Sequence, residues 1–323
     1  MCIRDRNKGD ESMYYIYPKL SEKDCLIFRL GGAGLGNILF TYARAVVYTK
    51  KHKNARMIWP TWFSLKLGPI LRRESDKRFY NDLFVNKSEY ISGLKKAYFL
   101  LIKKHIKEQE ISKNQKSDDC IVEFEGFENC FEEIINDSNI VYEDIVRNLN
   151  PKYKAALSFD GKNSICMHVR LGDFARVSWE EIKSGKHCSA IPIEWYVCMG
   201  MALRQIIGEK TKIYVFSDGT DEELKPLLQL ENVERITFGS AIADILALSN
   251  SGIFVASGSS FSMWARYLGR MTAVMFPNQV KQKILQSYDQ GKEIVAFDKI
   301  SLEDAQFIKK YWNQKESSEL VNS

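Results

Sequence analysis

The sequence predicts an α/β protein of two domains with a cleft between them, and three observations lead there. At 323 residues the chain is longer than one hydrophobic core usually serves. From residue 164 to residue 276, five short apolar runs alternate with helix-patterned segments, the mark of a parallel sheet covered by helices on both faces. Near the start, an apolar run, a cluster of glycines and a helical pattern follow one another, as at the opening of an α/β unit.

Taken in order, residues 25–30 (CLIFRL) read as a buried strand. Gly31, Gly32, Gly34 and Gly36 make the turn, and Ile38, Leu39, Tyr42, Ala45 and Val46 recur at helical spacing through residues 37–51. Residues 59–152 mix aromatic side chains with polar stretches and are expected to finish the first domain and shape an acceptor site. Trp59, Trp62 and Phe63 are either sugar-stacking faces or core, and residues 112–119 read as a loop. A basic run at 95–107 is either a solvated helix face or a contact for a membrane surface or acidic partner.

The second half predicts strands at 164–169, 212–216, 233–237, 253–256 and 272–276. Helices are expected at 194–207, 221–230 behind a Thr220–Glu223 capping box, 241–250 behind an N-cap at Ser240, and 261–268. The boundaries follow: an extension over 1–13, a first domain at 14–155, a second at 156–300, and a C-terminal helix and tail at 301–323. The extension is expected to be disordered or foreign to the fold, with Met13 as the true start.

Composition narrows the function classes. Hydrophobic residues at 45% and aromatics at 12% supply sizeable cores. A net charge of +5, from 46 basic against 41 acidic residues, is mild and dispersed, which argues against a nucleic-acid partner. The 7 cysteines lack CxxC spacing and point to free thiols in a reducing compartment. The 4 histidines lack zinc-site spacing, and no D-x-D occurs, so no metal is expected. No apolar run reaches ~18 residues, so no transmembrane segment is expected, and the start has no apolar signal-peptide core. A cytoplasmic enzyme is the expectation.

Four polar clusters fall at predicted strand ends, where open α/β sheets bind ligands. In HVRLGD (residues 168–173), alternation sends His168 and Arg170 to one side. Arg170 offers a planar fork suited to a diphosphate, or else pairs with Asp173 to hold the turn. Ser217 and Asp218 suit ribose or base hydroxyls, or simple helix capping. Asp244, one turn into a helix, either satisfies the dipole or accepts hydrogen bonds from the N1 and N2 donors of guanine. Ser259, Ser260, Phe261 and Ser262, in the SGSSFS run, place hydroxyls and free N–H groups at a helix start, a ready anion site. Gly34, Gly36 and Asn37 fit neither the dinucleotide nor the P-loop pattern, but allow close backbone approach to a ligand.

In this order the clusters resemble the α-1,2-fucosyltransferases of glycosyltransferase family 11 and their α-1,6- and O-fucosyltransferase relatives. The resemblance rests on GLGN with FTYARA, HVRLGDF, FSD, the D-x-x-x-x-S from Asp244 to Ser249, and SSFSMWARYL, with IPIEWY also fitting. It spans roughly residues 30–277 with a poorly matched middle, and five motifs in order are specific where each alone is modest. It implies a GT-B arrangement of two Rossmann-like domains, the first on the acceptor side and the second holding GDP-fucose. It also implies metal-independent transfer with inversion and no cofactor.

By motif position, Arg170 would hold the diphosphate, His168 and Asp244 the nucleoside, Ser259 to Ser262 the phosphates, and Gly36 and Asn37 would close over the donor. Asp173 is the first choice for general base, with Glu180, Glu181 and Glu194 as rivals. The partners implied are a nucleotide sugar and a glycan acceptor. The product the resemblance implies is an α-1,2-fucosylated galactoside of surface polysaccharide, expected to be made in the cytoplasm at the inner face of the membrane with peripheral association. One departure stands out: Leu171 occupies the place of a second arginine, with Arg176 as the expected substitute. It keeps two alternatives open, another nucleotide sugar on the same fold or a non-catalytic binding protein.

Overall fold

A computed structural model describes residues 13–65, 79–113, 119–127, 129–186 and 189–320. The N-terminal extension and most of the polar stretch at 112–119 lie outside the described residues. The chain divides after Asn150 into two units, each with its own parallel sheet. The predicted class, α/β with two Rossmann-like units, is the one the chain adopts.

The first unit opens with β1 (Tyr14–Pro18), whose buried Ile16 and Tyr17 sit among the central residues of the sheet. Two short strands follow, β2 (Lys23–Asp24) and β3 (Arg29–Leu30), then helix α1 (Leu35–Lys51). β4 (Ala55–Met57), β5 (Ser64–Leu65), α2 (Gly93–Ile102), β6 (His105–Lys107), β7 (Cys120–Phe124) and α3 (Ser138–Asn148) complete it. The main sheet runs β4-β1-β7-β6, all parallel, and β2-β3-β5 form a small second sheet. α1 buries Ile38, Leu39, Tyr42 and Val46 and ends on Lys50 and Lys51, where the helix dipole favours positive charge. Its N-cap, Gly34, has no side chain to offer, and the Tyr80 hydroxyl accepts from the Leu35 N–H at 3.1 Å instead.

The expected strand at residues 25–30 is a correction. Leu26 has φ 68°, the Asp24 carboxylate accepts from its N–H, and the Cys25 N–H reaches the Phe28 carbonyl. These close a turn that leaves Ile27 80% exposed. Only Arg29 and Leu30 of the run pair, as β3 of the small sheet, and the strand of the main sheet upstream is β1, whose tyrosines and terminal proline disguise it.

The second unit follows the predicted alternation closely. It comprises β8 (Ile165–Val169), α4 (Trp179–Lys183), α5 (Ile193–Ile207), β9 (Ile213–Ser217), α6 (Asp221–Leu228), β10 (Val233–Arg235) and α7 (Ala241–Leu248). β11 (Ile253–Ala256), α8 (Ser260–Gly269), β12 (Thr272–Met275), β13 (Glu293–Val295) and α9 (Leu302–Leu320) complete it. The Thr220–Glu223 capping box and the Ser240 N-cap both form. The six strands are parallel in the order β10-β9-β8-β11-β12-β13. β13 was not anticipated: three residues with a glutamate first carry no apolar run.

Alternation along β8 sorts the two faces. Ile165, Met167 and Val169 join Trp195, Met199, Leu203, Ile308 and Trp312 in one core. Cys166, with Phe254 and Ala256 of β11, faces Ala243, Ala247 and Ala265 of α7 and α8. His168 shares the parity of Cys166 and so emerges on the α7–α8 side.

Candidate functional site

Numbered from β8, the strand order is 3-2-1-4-5-6, so the chain leaves the sheet in opposite directions from the adjacent strands β8 and β11. Outside the carboxyl ends of such a pair lies the crevice where doubly wound sheets take their ligands. The two segments that emerge there are residues 170–174 and 257–259.

Beyond β11, hydroxyls converge on one imidazole. His168 Nδ1 lies 2.9 Å from Ser262 Oγ and 3.0 Å from Ser257 Oγ, and Ser257 Oγ lies 2.9 Å from Ser259 Oγ. The Ser257 N–H donates to Ser262 Oγ, and Ser259, as N-cap, accepts from the Ser262 N–H. Phe261 stacks on the His168 ring with centroids 4.4 Å apart. Burial, reinforced by the neighbouring Arg170 charge, pushes the imidazole down to about 3, so at neutral pH it is an uncharged hydrogen-bonding group. Ser260 opens α8, whose first turn holds no acidic residue, so its N–H groups present a positive dipole end. At Gly258 the backbone approaches Gln279 closely, and a Cβ there would lie 2.8 Å from Gln279 Oε1. Ser257, which the sequence placed in the SGSSFS cluster without a role of its own, lies at the heart of this network.

Beyond β8, Arg170 is held by two carboxylates. Its Nη2 donates to Asp173 at 2.5 Å, its Nη1 meets Asp218 at 2.6 Å, and the Phe174 ring lies beneath it at 5.4 Å. Asp218 also accepts from the Leu171 N–H at 2.8 Å. A Cβ at Gly172 would fall 2.2 Å from Asp218 Oδ2, so only glycine lets this carboxylate in. Ser217 Oγ donates to the Val169 carbonyl and accepts from the Gly219 N–H, tying the ends of β8 and β9 together. Ser217 and Asp218 therefore brace the loop that carries Arg170.

Leu171 turns inward and is 3% exposed, packed where a Cβ at Gly219 would touch it. Arg176 does not stand in for the missing arginine: it donates to the carbonyls of Leu171 and Phe174 and pairs with Glu223. Among the rival bases, Glu181 is committed to a capping box with Ser178 and to Lys186. The Lys186 bond, with the Ser178 N–H, holds its carboxyl below the usual range. Glu180 and Glu194 are exposed on the first turns of α4 and α5.

Asp244 sits in the first turn of α7 and closes the preceding loop, accepting from the Phe238 N–H at 2.6 Å and the Thr237 hydroxyl at 3.1 Å. Burial pushes its carboxyl up to about 6, against those two bonds. In the first unit, Gly34 caps α1, and Gly36 and Asn37 lie half-buried in its first turn. Beside them a cavity of about 690 Å³ is bounded by Gly31, Gly32, Ala33, Ile38 and Thr41. The left-handed backbone belongs to Gly31 and Gly32, at φ 66° and 89°. Trp62 is 4% exposed and packs on Phe84 and Tyr42, so it is core. Among the described residues, no group of three or more His, Cys, Asp or Glu is placed to hold a metal ion.

A parallel sheet in this order, with an acid-free, serine-capped helix start and an arginine loop at its switch point, defines a doubly wound Rossmann-like unit. The model of glycosyl transferase family 11 matches residues 125–293, more than half of the chain, and the chain belongs to that family. It is thus a glycosyltransferase. Among solved structures, the α-1,6-fucosyltransferase NodZ soaked with GDP-fucose is similar at 13% identity and TM-score 0.46, covering 80% of this chain and 93% of that one. POFUT1 in complex with GDP is similar at 12% identity and TM-score 0.42, covering 82% and 99%. The E. coli heptosyltransferase WaaC with ADP gives 12% identity, TM-score 0.43, and 94% and 100%. No curated protein matches in sequence.

Proposed function

We propose that the protein transfers L-fucose, with inversion and without a metal ion, from GDP-fucose to a hydroxyl of a galactose-containing glycan, forming an α-1,2 linkage. The observation that carries the reading is the meeting of Arg170, His168 and the serine-rich start of α8 at the β8–β11 switch point of a family 11 chain. In this reading the N–H groups of Ser260 and Phe261 and the hydroxyls of Ser259, Ser260 and Ser262 take the phosphates. Arg170 answers the charge that grows on the leaving diphosphate. Neutral His168 holds the serines in register and fixes the floor on which Phe261 and the nucleoside rest. Asp244 accepts from the guanine edge, Asp173 takes the proton of the acceptor hydroxyl, and Gly34, Gly36 and Asn37 of the first unit close on the donor in a GT-B arrangement. The reaction is assigned to the cytoplasm, at the inner face of the membrane, which cell fractionation checks.

Purified protein given GDP-fucose and lactose-type acceptors is expected to release GDP at a rate that a chelator does not change. Absence of turnover with every galactoside, or a rate abolished by chelation, rejects the corresponding part of the reading. A different nucleotide sugar on the same site is favoured by the inward Leu171 and the committed Arg176, neither of which supplies a second cation beside Arg170. Thermal stabilisation by UDP but not by GDP would select it.

A further inference from the structure

Helix α2 packs Phe99 and Leu100 against the first unit but carries four further apolar residues on its outer side. Leu94, Tyr98, Leu101 and Ile102 are separated by four, three and one positions, and at about 100° per residue they occupy an arc of roughly 100°. They are 91%, 59%, 71% and 66% exposed. The opposite side meets the body of the first unit. There Lys96 is buried and donates to Thr61 Oγ1 at 2.8 Å, and Phe99 packs edge-on against Tyr15 at 4.5 Å. A helix whose outer face met only water would carry its lysines where the leucines are. Contiguous exposed apolar side chains of this kind mark a contact surface.

Charge names the occupant. Lys95 and Lys104 are exposed and have no carboxylate partner among the described residues, and Lys107, 68% exposed, reaches Glu125 only at 3.9 Å. Residues 93–102 contain no aspartate or glutamate. A second copy packed about a two-fold axis would bring these lysines against their own counterparts with nothing acidic on the helix to answer them. An anionic bilayer answers both halves of the pattern: leucines enter the boundary between headgroups and acyl chains, and the flanking lysines meet lipid phosphates. We propose that α2 lies in the plane of an anionic membrane surface and docks the first unit there. For an enzyme acting on a lipid-linked acceptor this would keep the chain where its substrate is held, but the docking does not depend on that activity.

The test is co-sedimentation of the full chain with vesicles of phosphatidylcholine alone or with about one third phosphatidylglycerol. The chain is expected to partition at least about tenfold better onto the anionic vesicles, and the preference should fade in about 1 M salt, where screening shortens to ~3 Å. Leu94→Ser combined with Leu101→Ser and Ile102→Ser is expected to abolish partitioning. Lys95→Gln with Lys104→Gln should lower the anionic preference about tenfold while retaining the apolar arc. All five side chains lie on the surface, so circular dichroism and melting temperature should stay as in the wild type. Failure of the wild type to partition, or undiminished partition of either variant, overturns the proposal. So does a wild-type dimer in light scattering that the triple variant turns into a monomer.

Discussion

Asp244 shows how one side chain can serve stability and binding with opposite signs. Its folded carboxyl is raised to about 6 by burial, against an unfolded value of about 3.9. Between roughly pH 4 and pH 6 the folded chain therefore holds a proton that the unfolded chain has released. This contribution to stability is present below pH 4 and is lost, at up to about 1.4 kcal/mol per pH unit, as pH rises through that window. Asp244→Asn keeps an acceptor for the Phe238 N–H and removes the buried charge. Thermal denaturation should find the variant more stable than wild type at pH 7.5, with the difference shrinking at pH 4.5. If Asp244 accepts from the guanine edge, the same variant should bind GDP at least about tenfold more weakly by calorimetry, because the amide repels one of the two donors it faces. A variant that gains stability and keeps its GDP affinity removes Asp244 from the nucleotide site.

At the scale of the element, the start of α8 is the sharpest test, because its first turn is free of acid. A carboxylate in that turn favours the helix dipole by about 0.3–1 kcal/mol but repels a phosphate in the same place. Ser260→Asp should therefore leave the melting temperature equal or higher while weakening GDP binding by about tenfold or more. Equal GDP affinity would move the phosphates elsewhere. Much of the second unit was legible because β8, β9, β11 and β12 are largely buried apolar runs and three of the helices have a capping residue in front of them: Thr220, Ser240 and Ser259. Those signals are local. What stayed illegible depended on distant partners. Strand β1 is set by pairing with β4 and β7, not by its own pattern, and β13 by the edge of β12. The inward turn of Leu171 and the diversion of Arg176 needed Gly219 and Glu223, some 48 and 47 residues away in sequence (219 − 171 and 223 − 176), to be visible. The SGSSFS run did not show, for the same reason, that Ser257 meets a histidine on another strand.

At the scale of the molecule, the two units have separate cores, and the switch-point residues all belong to the second. Its stability draws on the far end of the chain, because Ile308 and Trp312 of α9 enter the core beneath β8 and β11. Trp312 is 4% exposed, and a Cβ on Gly252, just before β11, would lie 2.8 Å from its ring. Trp312→Ala should cost about 3–5 kcal/mol in urea denaturation. The loss is expected in the transition that GDP shifts upward, with any separate transition of the first unit unmoved. A uniform loss across both transitions would mean that the units unfold together.

The two carboxylates on Arg170 bear on how a donor is gained and given up. The guanidinium charge is already answered by Asp173 and Asp218, so in the proposed site a diphosphate competes with the carboxylates for it. Binding becomes an exchange of partners in which the arginine is never left bare. Selectivity follows, because a small inorganic anion makes too few other contacts to displace either aspartate, whereas a nucleotide gripped along its length does. Release follows too: once the sugar has moved on, the waiting carboxylates compete for the arginine and speed the spent nucleotide on its way.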